Sequence, residues 1–138
     1  MTFDKEILVE RIQAVERHLK RVRESLPPSE SAFTPASNAS DAVILHLWQA
    51  IQLVIDIAVS SCVQLNLGSP VSYADAFVRL SQGGFLDPEL AMRLCHASGF
   101  RNRLVHAYED LDLKKIYQIA QTGPQDLTAF LAAVAKLM

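Results

Sequence analysis

Residues 101–110 read RNRLVHAYED and place side chains that can bind a phosphate next to one that can move a proton. In a helix, Asn102 and His106 lie four residues apart and share a face, so the amide can hold the imidazole in one tautomer through a hydrogen bond. Arg101 lies about 140° from His106 around the helix axis, but its long side chain can fork a phosphate near the same cleft. Acid–base cleavage of RNA needs a histidine that titrates near neutral pH beside such a phosphate clamp.

The sequence around this stretch is cationic. No carboxylate occurs between Leu90 and Tyr108. The basic or titrating side chains in that interval are Arg93, His96, Arg101, Arg103 and His106. Of these, Arg103 and Arg93 are further candidates for contacts with RNA phosphates. Spacing alone leaves a plainer interpretation open, because helix faces rich in Arg and His are usually solvated and a single histidine is more often structural than catalytic.

Composition limits where such a site can lie. The chain has 138 residues, with 50% hydrophobic and 20% charged, which is typical of a compact protein and not of a disordered one. This length suits one core, so we expect a single domain over residues 1–138. The formal net charge of −2 provides no protein-wide positive field, so any RNA site must be local.

Several features favour a cytoplasmic protein. Cys62 and Cys95 fall inside apolar helical patterns and are predicted to be buried free thiols in a reducing compartment. The N-terminal MTFDKEILVE has acidic residues where a signal peptide has a basic start. Residues 42–67 are apolar, but a polar stripe recurs there at spacings of three and four, so we predict an amphipathic helix and no membrane association. The stripe consists of His46, Gln49, Gln52, Asp56, Ser60 and Gln64.

The first two predicted helices are separated by a loop. Apolar residues from Leu8 to Leu26 alternate spacings of four and three, and Pro27 and Pro28 end this helix. Residues 27–39 are rich in Ser, Ala and Pro and are predicted to be a flexible loop. Asn38 or Ser40 is expected to cap a second helix that carries Asp41 in its first turn and runs to about residue 67.

Three more helices follow. Ser72 and Asp75 resemble a capping pair for a short helix that ends at Gly83 and Gly84. Asp87, Pro88 and Glu89 give the strongest start signal in the chain, and the helix they begin should carry most or all of RNRLVHAY. A last helix runs from about Asp112 to the C-terminus, with an interruption or kink expected at Gly123 and Pro124. With no strand pattern, the predicted fold class is all-α, an up-and-down bundle of about five helices.

The sequence does not predict a metal or cofactor site. His18, His46 and His96 lie on separate segments without the paired spacing of a zinc site. We therefore expect no metal ligand and no cofactor.

Five segments of the chain resemble the HepT-like toxins of the HEPN superfamily. They are IQLVIDIA at 51–58, PVSYADAFVRLSQGGFLDPELA at 70–91, GFRNRLVHAYEDLD at 99–112, KKIYQIA at 114–120 and DLTAFL at 126–131. From about residue 41 onward their order and spacing agree with the family, whereas the first helix agrees only in character. The family signature is an arginine, a polar residue, a later histidine, any residue and a tyrosine. Arg101, Asn102, His106 and Tyr108 occupy these positions.

The resemblance implies a metal-independent endoribonuclease toxin of a type II toxin–antitoxin system, working as a homodimer whose two motifs face one cleft. Arg101, Asn102 and His106 would be catalytic. The implied partner is a minimal nucleotidyltransferase antitoxin of the MntA type, which would transfer AMP from ATP to Tyr108 and silence the toxin.

Two positions depart from the family pattern. Gln52 stands where members often have glutamate, and Arg103 stands where they often have an apolar residue.

The alternative function is a non-enzymatic protein that serves a nucleotidyltransferase as a substrate-binding or scaffolding subunit. Tyr73 and Trp48 are expected to pack in the core or on the dimer surface. Without the resemblance, Tyr108 is interpreted as an anchor of the helix end.

Overall fold

The computed structural model describes residues 4–106 and 112–138, which form five α-helices and one short 3₁₀ turn at Glu30–Ala32. The helices are α1 (Lys5–Ser25), α2 (Asn38–Gln64), α3 (Tyr73–Gln82), α4 (Pro88–His106) and α5 (Leu113–Ala135). No strand occurs in these described residues. The predicted all-α bundle of five helices is confirmed.

Most helix starts follow the predicted capping signals. The Ser72 hydroxyl accepts a hydrogen bond from the Asp75 backbone N–H at 3.0 Å. The Asp87 carboxylate accepts one from the Leu90 N–H at 3.1 Å. These side chains satisfy backbone donors that the first turn of a helix leaves unpaired.

The predicted cap of α2 is wrong. Ser37 is the N-cap, and its hydroxyl accepts from the Ser40 N–H at 3.1 Å while the Ser40 hydroxyl accepts from the Ser37 N–H at 3.1 Å. Asn38 is already the first helical residue. The reciprocal bonds of this capping box satisfy two donors at once, which a cap at Asn38 or Ser40 would not do.

Helix α5 is continuous through Gly123 and Pro124, so the predicted interruption is wrong, and the kink given as its alternative stays a prediction. Proline removes one backbone hydrogen bond from a helix interior. Pro124 is nevertheless buried, as are Ala120 and Leu127 on either side of it. Packing of this face against the rest of the bundle therefore holds the helix together where its own hydrogen bonding is weakest.

Helix α2 is the centre of the core. It packs against all four other helices, and side chains such as Leu47, Val54 and Ile55 are fully buried. Its most apolar stretch has a mean hydropathy of 1.8, so by length and composition α2 matches a membrane-spanning helix. Half of that stretch is buried inside the bundle, as expected for the core helix of a globular fold.

The segment between α1 and α2 is attached to α5. Phe33 is buried, and its ring centroid lies 5.6 Å from that of Tyr117. The Tyr117 hydroxyl donates a hydrogen bond to the Pro27 carbonyl at 2.8 Å. These contacts tie two points of the segment to the core, and the flexibility of residues 27–39 stays a prediction.

Both cysteines are free thiols, as predicted. Cys62 is buried, with Sγ 3.3 Å from the Ala76 carbonyl, whereas Cys95 is only half-buried, with Sγ 3.4 Å from the Ala74 carbonyl. Burial raises the pKa of both thiols. They therefore act as small apolar groups between α3 and its neighbours.

Two histidines that are 28 residues apart in sequence meet between α1 and α2. The Nδ1 atoms of His18 and His46 lie 3.0 Å apart, and their ring centroids are 5.2 Å apart. A hydrogen bond between these atoms requires one of them to be an unprotonated acceptor. Burial, followed by the nearby His46 and Arg17, lowers the pKa of His18 below its usual 6.5.

This contact predicts a pH dependence of stability. Because the fold lowers the pKa of His18, it favours the neutral imidazole, and its contribution is fully present above pH 6.5 and lost as the pH falls through the folded pKa. We expect the free energy of unfolding, measured by urea denaturation, to drop more steeply on acidification in the wild type than in His18→Gln.

His96→Gln is the matched control, because His96 is exposed on α4. It should retain the wild-type slope. A His18→Gln protein with the same pH dependence as the wild type would contradict the assignment.

Candidate functional site

The motif lies at the C-terminal end of α4, and the buried face of that helix determines where it points. Leu94, Phe100 and Leu104 are each no more than 6% exposed. With these side chains directed into the core, Asn102 and Arg103 are exposed and Arg101 is half-buried. Positions 102 and 106 are four residues apart and therefore share one face of the helix.

Arg101 is held by contacts on two sides. Its guanidinium carbon lies 5.6 Å from the ring centroid of Tyr73, at the start of α3. Its Nη1 donates a hydrogen bond to the Asn102 side-chain oxygen at 3.2 Å. The Nε atom is buried and has no hydrogen-bond partner among the described residues. No described residue neutralises the positive charge of Arg101, and an anion would stabilise that charge.

Tyr73 is placed by the turn between α2 and α3. Arg79 donates from Nε to the Asp75 carboxylate at 2.7 Å and from Nη1 to the Leu67 carbonyl at 2.8 Å. Gly68 has φ +89, and a Cβ there would lie 2.8 Å from the Arg79 Nη1. The Arg79 hydrogen bond lowers the pKa of Asp75, followed by the bond from the Val71 N–H. This network fixes the first turn of α3 beneath Arg101.

The other motif residues are described less fully. His106 is the last residue of α4, but its side chain lies outside the described part of the structure. The predicted bond between Asn102 and His106 is therefore not tested. The Asn102 oxygen accepts from Arg101, so its NH₂ group is the part of the amide left to bind an imidazole or a phosphate oxygen. Tyr108 lies outside the described residues.

The two further arginine candidates lie on another side of α4. Arg93 Nε forms an ion pair with the Asp126 carboxylate at 2.9 Å. Arg103 lines a concave surface between α4 and α5, which we call the α4–α5 groove. The structure therefore does not bring Arg93 and Arg103 together with Arg101, since residues 101 and 103 diverge by about 160° around the helix.

The polar stripe of α2 is only partly solvent-facing. The Gln52 Nε2 donates to the Asp56 carboxylate at 2.9 Å, while the Gln52 side-chain oxygen is buried without a partner among the described residues. The Ser60 hydroxyl accepts from Arg11 of α1 at 3.3 Å. Part of the stripe thus serves packing against α1.

The described residues contain no group of three or more His, Cys, Asp or Glu side chains that could hold a metal ion. The meeting of His18 and His46 supplies only two nitrogens, fewer than a structural zinc site uses.

Comparison with known proteins identifies the family. The model of the family described as "Ribonuclease HepT-like" matches residues 15–134. This chain belongs to the HepT-like family. Over 129 residues it is 30% identical to the mRNA nuclease HepT of Shewanella oneidensis, covering 94% of this chain and 96% of that protein.

Two further matches agree with this assignment. The chain is similar to the tRNA nuclease HepT of Aphanizomenon flos-aquae, with 38% identity over 66 residues, covering 48% of this chain and 45% of that protein. A solved structure of the tri-AMPylated Shewanella oneidensis HEPN toxin in complex with MNT antitoxin superposes with a TM-score of 0.86 and 29% identity, covering 94% of this chain and 97% of that one. The HepT-like fold is therefore shared over nearly the whole chain.

Sequence reasoning missed the role of Tyr73. The HepT-like motif contains no signal for it, since Tyr73 and Arg101 are 28 positions apart and meet only because α3 packs along α4. Tyr73 is 39% exposed, so it is not a core residue, and its ring contacts Arg101.

The contact predicts a measurable role for Tyr73 in this HepT-like protein. A cation–π contact at a partly exposed site contributes about 0.5–1 kcal/mol, so Tyr73→Leu should lower ribonuclease activity by roughly two- to fivefold. Tyr73→Phe keeps the ring and should retain wild-type activity.

Phe85→Leu is the matched control, because Phe85 is an aromatic residue of similar exposure with no contact to the motif given by the structure. Equal cleavage rates for Tyr73→Leu and Phe85→Leu would show that the ring does not support Arg101.

Proposed function

We propose that this chain is a metal-independent endoribonuclease toxin of a type II toxin–antitoxin system. The observation that carries the proposal is a half-buried Arg101 that has no anionic partner among the described residues, within a motif whose other positions are Asn102, His106 and Tyr108. The names of the curated relatives, mRNA nuclease and tRNA nuclease, support the ribonuclease activity.

Each motif residue has a role in the proposed reaction. The RNA 2′-hydroxyl attacks the adjacent phosphorus, the bond to the 5′-oxygen breaks, and a 2′,3′-cyclic phosphate forms. Arg101 stabilises the negative charge that grows on the non-bridging oxygens. His106, from one or both subunits, takes the proton from the 2′-hydroxyl or gives one to the leaving oxygen. Asn102 holds His106 or a phosphate oxygen through its NH₂ group.

The active assembly is proposed to be a homodimer with the two motifs facing one cleft. Exposed apolar side chains on α3, α4 and the turn before α3 support a buried interface on this side of the bundle. They include Val71 (86% exposed), Met92 (63%) and Val78 (39%). Covering them would stabilise a dimer through the hydrophobic effect.

The proposed regulator is a nucleotidyltransferase antitoxin of the MntA type, acting in the cytoplasm. Solved structures of similar toxins contain an MNT or MntA antitoxin, and one of those toxins is tri-AMPylated. In the proposed reaction the Tyr108 oxygen attacks the α-phosphorus of ATP, a phosphodiester forms and pyrophosphate leaves. The added phosphodiester charge and adenosine would then oppose RNA by repulsion and by bulk.

The decisive test is cleavage by the purified protein without its partner and with excess chelator. The wild type should cleave total cellular RNA and leave 2′,3′-cyclic phosphate ends. His106→Ala should be slower by roughly 10²- to 10⁴-fold, the usual contribution of a general acid or base.

Two controls accompany this test. His18→Gln, altered on α1 and away from the motif, should cleave like the wild type, and His106→Ala should sediment as the same dimer. If the well-folded, unmodified wild type cleaves no RNA, the nuclease proposal fails. The alternative of a non-enzymatic subunit for a nucleotidyltransferase is then preferred.

A second test addresses Tyr108. With the nucleotidyltransferase partner, ATP and Mg²⁺, the wild type should gain adenylate mass in intact-protein mass spectrometry, and Tyr108→Phe should gain none. Tyr73→Phe and Tyr117→Phe alter the other two tyrosines of the chain and should be labelled normally. Labelling of Tyr108→Phe would place the acceptor elsewhere.

A further inference from the structure

The α4–α5 groove is a second cationic feature that the motif does not use. It is a cavity of about 320 Å³ between the two helices. The side chains on it that are charged or can become charged are Arg93, His96, Arg103, Lys115 and Asp126. Its apolar floor includes Ala97, Phe100 and Ile119.

The charges in this groove are unequal. Asp126 is the one acid among its described lining residues, and its carboxylate is paired with Arg93 at 2.9 Å. Arg103 and Lys115 are exposed and form no ion pair with a described residue. Asp112, three residues before Lys115, accepts hydrogen bonds from the backbone N–H groups of Lys114 and Lys115 at 3.1 and 3.4 Å. Among the described residues, neither of these two cations has an anionic partner.

The groove also lies next to the motif. Arg103 directly follows Asn102, and Arg93 lies ten residues before Arg103 on the same helix. The basic side of α4 therefore extends about 15 Å along the helix axis. Positions 103 and 106 are about 60° apart around the α4 axis, so a strand that passes position 106 can continue along the side of Arg103, whereas Arg101 lies on the other side of the helix. A polynucleotide strand is the ligand with that repeated charge and length.

We propose that the α4–α5 groove binds backbone phosphates of the RNA strand on one side of the scissile bond, with Arg103 and Lys115 as the phosphate-binding residues. This inference rests on the ribonuclease function proposed above. Asp126 acts as a restraint, because it neutralises Arg93 and limits how tightly the strand is held. Phosphate contacts of this kind position a strand and carry no sequence information.

Equilibrium binding in the His106→Ala background tests the proposal without cleavage. The probes are fluorescein-labelled single-stranded oligouridylate and oligoadenylate, followed by fluorescence anisotropy over a range of salt concentrations. Arg103→Ala with Lys115→Ala should weaken both probes by roughly tenfold. The slope of log affinity against log salt should fall by about 0.7 per contact removed, so by about 1.4 in total.

Asp126→Asn should have the opposite effect. Releasing Arg93 adds a cation to the groove, so this variant should bind both probes about threefold more tightly. An ion pair between an exposed and a half-buried side chain contributes little to stability, so the variant should fold normally. A merely structural role of Asp126 would not produce tighter binding.

Two controls remove equal charge elsewhere. Lys20→Ala with Arg21→Ala takes two exposed cations from α1, and Glu24→Gln takes one exposed acid from the same helix. Both should bind RNA as the parent does.

In cleavage assays with His106 intact, the Arg103 and Lys115 variant should raise KM and leave kcat nearly unchanged, since these contacts hold substrate and transition state equally.

The outcomes separate this proposal from the proposed function. If the wild type cleaves RNA while the Arg103 and Lys115 variant keeps the parent affinity and salt slope, the groove proposal alone is wrong. If that variant binds RNA normally but no longer binds the nucleotidyltransferase, the groove is a protein docking surface and the proposal is overturned. If the wild type neither binds nor cleaves RNA, both proposals fail.

Discussion

Burial of α2 among the four other helices is the constraint on which the rest of the structure depends. A helix this apolar must be covered on most of its surface, and α1, α3, α4 and α5 together provide that cover. Edge-to-face contact of Phe77 with Phe130, whose centroids are 5.7 Å apart, links α3 to α5 in the same core. The positions and rotations of α3 and α4 follow from this packing, and so does the place where the motif reaches the surface.

The rotation of α4 separates its arginines into two groups with different surroundings. Since Leu94, Phe100 and Leu104 point inward, Arg101 emerges on the side of α3 and Arg103 on the side of α5. Arg101 is restrained by Tyr73 and Asn102, which reduces the entropy it loses on binding a phosphate. Arg103 is exposed. A restrained cation suits the reacting phosphate, whereas an exposed one suits the phosphates beside it.

The net charge of the protein does not describe the charge of the surface around α4. The chain carries −2 overall, yet the interval from Leu90 to Tyr108 contains no acid. Three described acids near α4 have other partners: Asp75 accepts from Arg79, Asp112 caps α5, and Asp126 pairs with Arg93. A local cluster of basic residues is therefore compatible with a negative net charge.

The helices and the motif follow from short-range sequence signals. Apolar spacing, the caps at Ser72 and Asp87 and the stop at Pro27 act within a few residues, so they predict five helices and place residues 101–106 on the fourth. Two predictions from such signals were wrong: Ser37, paired with Ser40, is the cap of α2, and α5 continues through Pro124 without interruption. The contacts of Tyr73 with Arg101, of Asp126 with Arg93 and of His18 with His46 are set by tertiary packing. Each of those contacts joins residues at least 28 positions apart, and such pairs are set by how whole helices rotate against a shared core, which no short stretch of sequence encodes.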